Sequence, residues 1–479
     1  MTASLFELFS RTANAFPDRI ALITESSQMS FQDVLDLVGV LDMQLQTRGV
    51  REGDVVVLST ARAEMVIAFA LLLSKRSISV IFSPVERAMA AGIDFDRIVS
   101  TKALPDLPED KQIIISPEWF TLMGAVPELG AQSNDGNGSF VFSTSGTTGN
   151  PRFVSFPEAS RLHDLLAMRT IPEDDLQRIR FMTTAGANTG LAMNNNLSVL
   201  LAGGSVVALD KDSSKALQFA NLWRVSHLMT MPAVIQQALQ MPNATQYLST
   251  LEEIEIGGAH TPDPLLAELS TVTRASIVTS FGATETGALF RRPAKSDTPR
   301  QMGEIGRLFR NDVDVVFLDE TLTEHPDASE GIMGIRLPTD APRAYLGEDQ
   351  FQGGTGFKDG AFVSGDWGKR DGETYFVTGR MKRVLNLNGS KFSLDEIHFW
   401  LGTHLPEGAE LAVAATKDPH GMEQLEIFVA NAKDVSRGDL DRALSKRWQY
   451  LSIGQYHEIE KMPLTDSGKV DFRALTQMA

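Results

Sequence analysis

Apolar positions fall at helical intervals in some stretches of this chain and in short unbroken runs in others. Across residues 4–16, Leu5, Leu8, Phe9 and Ala13 share one helical face behind Ser4, a residue suited to cap, and Pro17 stops the run. Residues 20–24 predict a short strand, 31–49 a second amphipathic helix closing at Gly49, and 54–59 a buried strand. A helix over 65–74 and a strand over 79–82 follow. Strand and helix taking turns in this way signal a parallel sheet covered on both faces.

The alternation resumes after residue 179. Strands are expected at 179–183, 205–209, 227–229, 251–256 and 275–280, with helices near 195–201 and at 214–225 and 233–239. The last two strands each run into a glycine-containing loop, one with Gly257, Gly258 and Ala259, the other with Phe281, Gly282 and Ala283 after Ser280. Ligands of open parallel sheets collect outside the carboxyl ends of strands, so both loops are expected to line one crevice. Beyond about residue 303 the texture turns to short strands and turns, including 313–318 and 331–337. After Gly379 and Arg380 it changes again, to a strand at 382–387, a helix at 393–401 capped by Ser393, strands at 411–415 and 425–430, and a helix at 437–448. That tail has the size of a small α+β domain.

At 479 residues the chain exceeds one ordinary core. The formal net charge of -17 repels phosphate backbones and argues against a nucleic-acid partner, so an anionic ligand must be met by local cations and backbone dipoles. Cysteine is absent, which excludes disulfides, thiolate metal sites and a Cys nucleophile and fits a cytoplasmic location. The N-terminal stretch carries Glu7 and Asp18 with no apolar core, so it is not expected to be a signal peptide. The most apolar run, 65–73, is far short of the ~20 residues that span a bilayer.

Chemistry concentrates first at residues 143–149. Behind the apolar Val141 and Phe142 come Ser143, Thr144, Ser145, Gly146, Thr147, Thr148 and Gly149, then Asn150, Pro151 and Arg152. Side chains this small leave main-chain N–H groups open to an anion, although a solvated turn has the same composition. No Gly-Lys-Ser/Thr follows, so this is not a Walker A loop. Phe281, Gly282, Ala283, Thr284 and Glu285 follow a strand; taken singly, Glu285 reads as a surface carboxylate and Phe281 as core. Asp366 and Arg380 are spaced to face each other across one hairpin, where the carboxylate can accept ribose hydroxyls and the guanidinium can donate to sugar or phosphate. Near the tail stand Pro463, Leu464, Thr465, Asp466, Ser467, Gly468 and Lys469.

The order Thr-Ser-Gly-Thr-Thr-Gly-x-Pro with a basic residue after it resembles the phosphate loop of the adenylate-forming superfamily of acyl-CoA synthetases, peptide-synthetase adenylation domains and luciferases. The aromatic-Gly-x-Thr-Glu, Ser-Gly-Asp with Gly-Arg, and Pro-x-Thr-x-Ser-Gly-Lys motifs follow in that superfamily's order. The resemblance covers essentially the whole chain. It implies an α/β fold: a large N-terminal domain (1–381) of two doubly wound sheets plus a distorted β-barrel, and a small mobile α+β domain (382–479).

In function, the resemblance implies ATP-dependent activation of a carboxylic acid as acyl adenylate, with pyrophosphate released, then transfer of the acyl group to a thiol. CoA is the first expectation for that thiol, with the pantetheine of an acyl carrier protein, or an amine, as the alternative. Residues 144–149 and Arg152 would meet the phosphates, Glu285 and Thr144 a magnesium ion, and Gly257, Gly258, Ala259, Ser280, Phe281, Gly282, Ala283, Thr284, Asp366 and Arg380 the nucleotide. Lys469 is implied as the catalytic lysine, Lys382 as the hinge, and Gly389 and Lys391 as the pantetheine and CoA contacts.

Three departures stand out. Arg152 replaces the family's usual Lys, Ser364 its Thr, and residues 181–190 lack both the histidine frequent in acyl-CoA synthetases and the aspartate that meets an amino acid's ammonium group. A luciferase-type oxygenase and a catalytically silent nucleotide-binding scaffold share the implied fold; retention of Lys469, Glu285, Asp366 and Arg380 together speaks against the scaffold.

Overall fold

The computed structural model describes residues 3–121, 138–144, 152–168, 173–209, 215–295, 300–338, 342–347, 350–352, 354–381, 383–387, 390–406, 408–417, 423–432, 435–448, 451–465, 470–472 and 474–475. The chain packs as two units. One comprises Met1–Lys295, Phe309–Val313 and Leu337–Gln350; the other comprises Ser296–Leu308, Asp314–Arg336 and Phe351–Ala479.

The first unit holds two sheets. In one, the strand order is Ala344–Tyr345, Arg152–Pro157, Ser139–Thr144, Ser79–Phe82, Val55–Ser59, Arg97–Ser100 and Gln112–Ile114. The five strands from Ser139–Thr144 onward are parallel, and the first two are antiparallel additions at one edge. In the other, the order is Gly287–Pro293, Ser276–Ala283, Glu253–Ile256, His227–Thr230, Arg180–Thr183, Ser205–Val207, Ile20–Ile23 and Gln28–Ser30, parallel except at the two ends. Both sheets thus follow the expected crossover pattern.

Local chemistry explains where the helices start. Ser4 and Ser30 each accept from the backbone three residues on, and Glu7 and Asp33 reach back to the cap N–H, closing two capping boxes. Thr189 caps Gly190–Leu201, which begins five residues earlier than its apolar spacing suggested because Asn194–Asn196 interrupt the pattern. Ala63–Arg76 is buried on nearly every face, consistent with its unbroken apolar run. No helix among the described residues is long and apolar enough to cross a membrane. The first helix is fastened through a buried carboxylate: Glu158 Oε1 accepts from the Leu5 N–H at 2.8 Å and the Ser74 hydroxyl at 2.6 Å.

In the second unit the β-rich part is an antiparallel path, Asp314–Leu318, Glu330–Arg336, Ala361–Asp371, Thr374–Arg380 and Glu304–Leu308. The expected distorted barrel is corrected here to an open sheet: among the described residues the path does not close on itself. Register shifts interrupt its ladders at Ile332/Gly334, Trp367/Gly368 and Glu304/Gly306. The tail forms a separate core from Leu385, Ile397, Leu401, Val413, Ile427, Leu440 and Ile453. Helices Leu394–Gly402 and Arg437–Ser445 supply it together with the three strands Glu410–Lys417, Glu423–Ala430 and Ile453–Ile459.

Candidate active site

In the first unit, Thr144 ends one strand and faces Arg152 directly on the antiparallel neighbour. This rung closes the base of the Ser/Thr/Gly loop, of which Ser145, Gly146, Thr147, Thr148 and Gly149 lie outside the described residues. The Arg152 guanidinium carbon sits 3.5 Å from the centre of the Tyr345 ring, and Nη2 donates to the Gln350 carbonyl at 3.2 Å. Tyr345 lies on the edge strand paired with Val154 and Ser155, and its hydroxyl donates to Glu285 Oε1 at 2.6 Å. Arg152, Tyr345 and Glu285 therefore form one continuous line. Burial, and next the adjoining Glu285 carboxylate, push the Tyr345 hydroxyl well above its ordinary pKa, so it stays a donor. The planar guanidinium stacks on an aromatic face in a way an ammonium does not, which gives the departure from Lys at this position a physical basis.

Glu285 is 7% exposed, so the surface reading of this carboxylate fails. The strand expected to end at Ser280 continues to Ala283 and turns back through Thr284, Glu285 and Thr286 into Gly287–Pro293, so Phe281, Gly282 and Ala283 belong to a hairpin arm. Gly282 is required by contact: a Cβ there would sit 2.1 Å from the Gly287 carbonyl oxygen. Gly287 itself takes φ +72, and the Arg343 Nη1 donates to the Glu285 carbonyl at 3.1 Å. The ends of the parallel strands Glu253–Ile256 and Ser276–Ala283 lie side by side, so close that a Cβ on Gly257 would sit 2.7 Å from Ser280 Oγ. Gly258 (φ +82), Ala259 and Gly282 are exposed there, and Phe281 and Thr284 are half-buried. The two loops thus share one rim.

No group of three or more His, Asp or Glu side chains suited to a metal occurs among the described residues. A single carboxylate is enough for magnesium when phosphates and water supply the other oxygens, and Glu285 is a buried carboxylate.

In the second unit, Asp366 and Arg380 pair across the hairpin as spaced, with Nε to Oδ1 at 3.0 Å. Asp366 is buried and its N–H donates to the Ser364 hydroxyl at 3.1 Å, so the Ser keeps the contact a Thr would make. Burial raises the Asp366 pKa, and Arg380 and Ser364 oppose the rise. Lys391 faces Asn386 across the hairpin Val384–Leu387 and Ser390–Ser393. Lys382, Gly389 and Lys469 lie outside the described residues. The segment with Lys469 is closed at its base by the bridge between Leu464 and Val470 and by the Asp471 N–H donating to the Pro463 carbonyl at 2.8 Å.

The family model described as AMP-binding enzyme matches residues 92–343, more than half of the chain. The chain belongs to the AMP-binding enzyme family. This AMP-binding enzyme is 25% identical over 513 positions to the vibriobactin-specific 2,3-dihydroxybenzoate-AMP ligase of Vibrio cholerae serotype O1, covering 98% of this chain and 93% of that protein. It is 24% identical over 501 positions to tyrocidine synthase 1 of Brevibacillus parabrevis, covering 99% of this chain and 45% of that much longer protein. Among solved structures, Klebsiella oxytoca NpsA in complex with 3-hydroxyanthranilyl-AMSN superposes with a TM-score of 0.82 at 16% identity, over 100% of this chain and 99% of that one. The AMP-binding enzyme thus has the adenylate-forming fold. Tyr345, Gln350 and Arg343, which hold Arg152 and Glu285, carry no local sequence signal.

Proposed function

We propose that this chain condenses a small aryl carboxylic acid with ATP to an acyl adenylate and then hands the acyl group to a pantetheine thiol. The observation that carries the first step is the line from Arg152 through Tyr345 to Glu285: a cation on a strand beside the base of the Ser/Thr/Gly loop, joined through one tyrosine to a buried carboxylate in a hairpin turn. A triphosphate needs such a pair, the guanidinium for its oxygens and the carboxylate for its counter-ion. Magnesium, when bound at Glu285 and Thr144, supplies neutralisation of phosphate charge.

A carboxylate oxygen of the acid attacks the α-phosphorus of ATP. A C–O–P mixed anhydride forms as the bond to the β-phosphate oxygen breaks, and pyrophosphate leaves. Arg152 and Lys469 are the proposed cations for the charge that builds on these oxygens, Asp366 and Arg380 the proposed partners of the ribose, and the work is positioning and electrostatics. The thiol then loses its proton and attacks the acyl carbon, releasing AMP. Support for an aryl acid comes from the 2,3-dihydroxybenzoate and 3-hydroxyanthranilyl groups in the names of two similar proteins, and from the missing ammonium-pairing aspartate in residues 181–190. The pantetheine thiol is common to CoA and to carrier proteins; the likeness to a peptide synthase supports the carrier.

Pyrophosphate exchange across hydroxybenzoic, aminobenzoic, aliphatic and amino acids tests the first step, and separate incubations with CoA, holo carrier protein and amines test the second. Exchange with an aryl acid is expected. Absence of exchange with every acid overturns the reading.

A further inference from the structure

We propose that Asp164 is a positioning residue that aims Glu285 through two buried arginines. The inference rests on the role just assigned to Glu285. Asp164 sits in the middle of helix Glu158–Ala167, fully buried, where a carboxylate persists only if its oxygens are engaged. Both are. Oδ1 accepts from Arg310 Nη1 at 3.0 Å and from Arg343 Nη2 at 3.2 Å, and Oδ2 accepts from Arg343 Nη1 at 3.0 Å.

Each arginine then passes the contact on. Arg343 Nη1 also donates to the Glu285 carbonyl and Arg310 Nη1 to the Thr286 carbonyl, both at 3.1 Å. Two successive peptide planes of the hairpin turn are thereby fixed, and those planes set the direction in which the Glu285 side chain leaves the backbone. Two residues after Arg343, Tyr345 holds the same side chain by its carboxylate. One short segment grips Glu285 at both ends, and Asp164 anchors one of the two grips.

Charge explains why the anchor is an aspartate. Arg310 and Arg343 are both buried and share this carboxylate, and Arg310 also pairs with Asp312, which meets His163 Nε2 at 3.0 Å. One helical turn earlier, Arg161 is fully buried over the Phe142 and Phe156 rings, 4.7 and 4.3 Å from their centres, with Nε and Nη2 unpaired among the described residues. Without Asp164 these guanidinium groups would repel one another and the two carbonyls would lose fixed donors.

The test uses the full chain carrying Asp164→Asn, Arg343→Lys, or both. Hydrogen–deuterium exchange of the peptide over 283–290 reads the turn directly. Pyrophosphate exchange, with the acid that supports it in the wild type, gives kcat, KM for the acid, and the Mg2+ concentration at half-maximal rate. For Asp164→Asn we expect the turn amides to exchange at least about tenfold faster, as loss of a buried charged anchor implies, while Gly190–Leu201 stays protected. The Mg2+ requirement is expected to rise and kcat to fall about tenfold or more, with KM for the acid within about twofold, and the double variant to be no worse than the worse single one. A wild-type turn in Asp164→Asn, or multiplicative losses in the double variant, overturns the proposal. If Asp164→Asn does not fold, Arg343→Lys, which keeps the charge, is expected to free the same turn, and unchanged exchange there overturns it. A wild type that exchanges pyrophosphate with no acid sinks the assigned reaction instead, while the deuterium measurement still judges Asp164.

Discussion

Replacing Tyr345 by Phe removes one oxygen and leaves the ring on which Arg152 stacks at 3.5 Å. The lost hydrogen bond runs to a buried carboxylate at 2.6 Å, and bonds of that kind contribute about 1.5–3 kcal/mol. If Glu285 keeps this partner through adenylation, the whole amount is felt in the transition state. At about 1.4 kcal/mol per decade, kcat/KM for ATP in pyrophosphate exchange is then expected to fall about 10- to 150-fold. Tyr345→Ala also removes the face beneath the guanidinium, whose attraction is about 0.5–2 kcal/mol, and opens a cavity, so it should be slower still and less stable. Combining Tyr345→Phe with Glu285→Gln should cost little beyond Glu285→Gln alone, because the two groups act as one. A folded Tyr345→Phe enzyme within about twofold of the wild type would refute the idea that this hydroxyl aims the carboxylate.

Two further outcomes follow from the second unit. Lys469→Ala should abolish acyl-adenylate formation from ATP yet spare thioester formation from supplied acyl adenylate; equal loss of both half-reactions would contradict its role as the adenylation cation. Asp366 has a raised pKa through burial, so folding favours its protonated form. Its ionisation therefore weakens the fold as pH rises from the ordinary carboxylate range through the higher folded value. Asp366→Asn should accordingly relieve this loss at neutral pH, the relief shrinking as pH is lowered, while AMP affinity measured by calorimetry falls. Unchanged AMP affinity would remove Asp366 from the nucleotide site.

Much of the scaffold could be read from residue order because local and long-range preferences agree there. Ser4 and Ser393 announce helix starts that the backbone bears out, and the short apolar runs of the parallel strands sit where expected. The first-unit site was legible only in its motifs. Gly282 looked like a loop residue, since composition cannot distinguish a flexible glycine from one that makes room for the opposite strand. Tyr345 was invisible because its two-residue strand gains meaning only by pairing with a partner nearly two hundred positions away. Asp164 carries no signal at all: in a window of helix-forming residues an aspartate ordinarily faces water, and only the arrival of Arg310 and Arg343 reverses that.

The fastening of the first helix has a practical side. Because Glu158 takes its donors from the Leu5 amide and the Ser74 hydroxyl, trimming the chain beyond Ser4 would remove the first and leave a buried carboxylate oxygen with the Ser74 hydroxyl alone. Extensions placed ahead of that point leave the latch intact, so affinity handles belong there, and shortened versions should begin no later than residue 4.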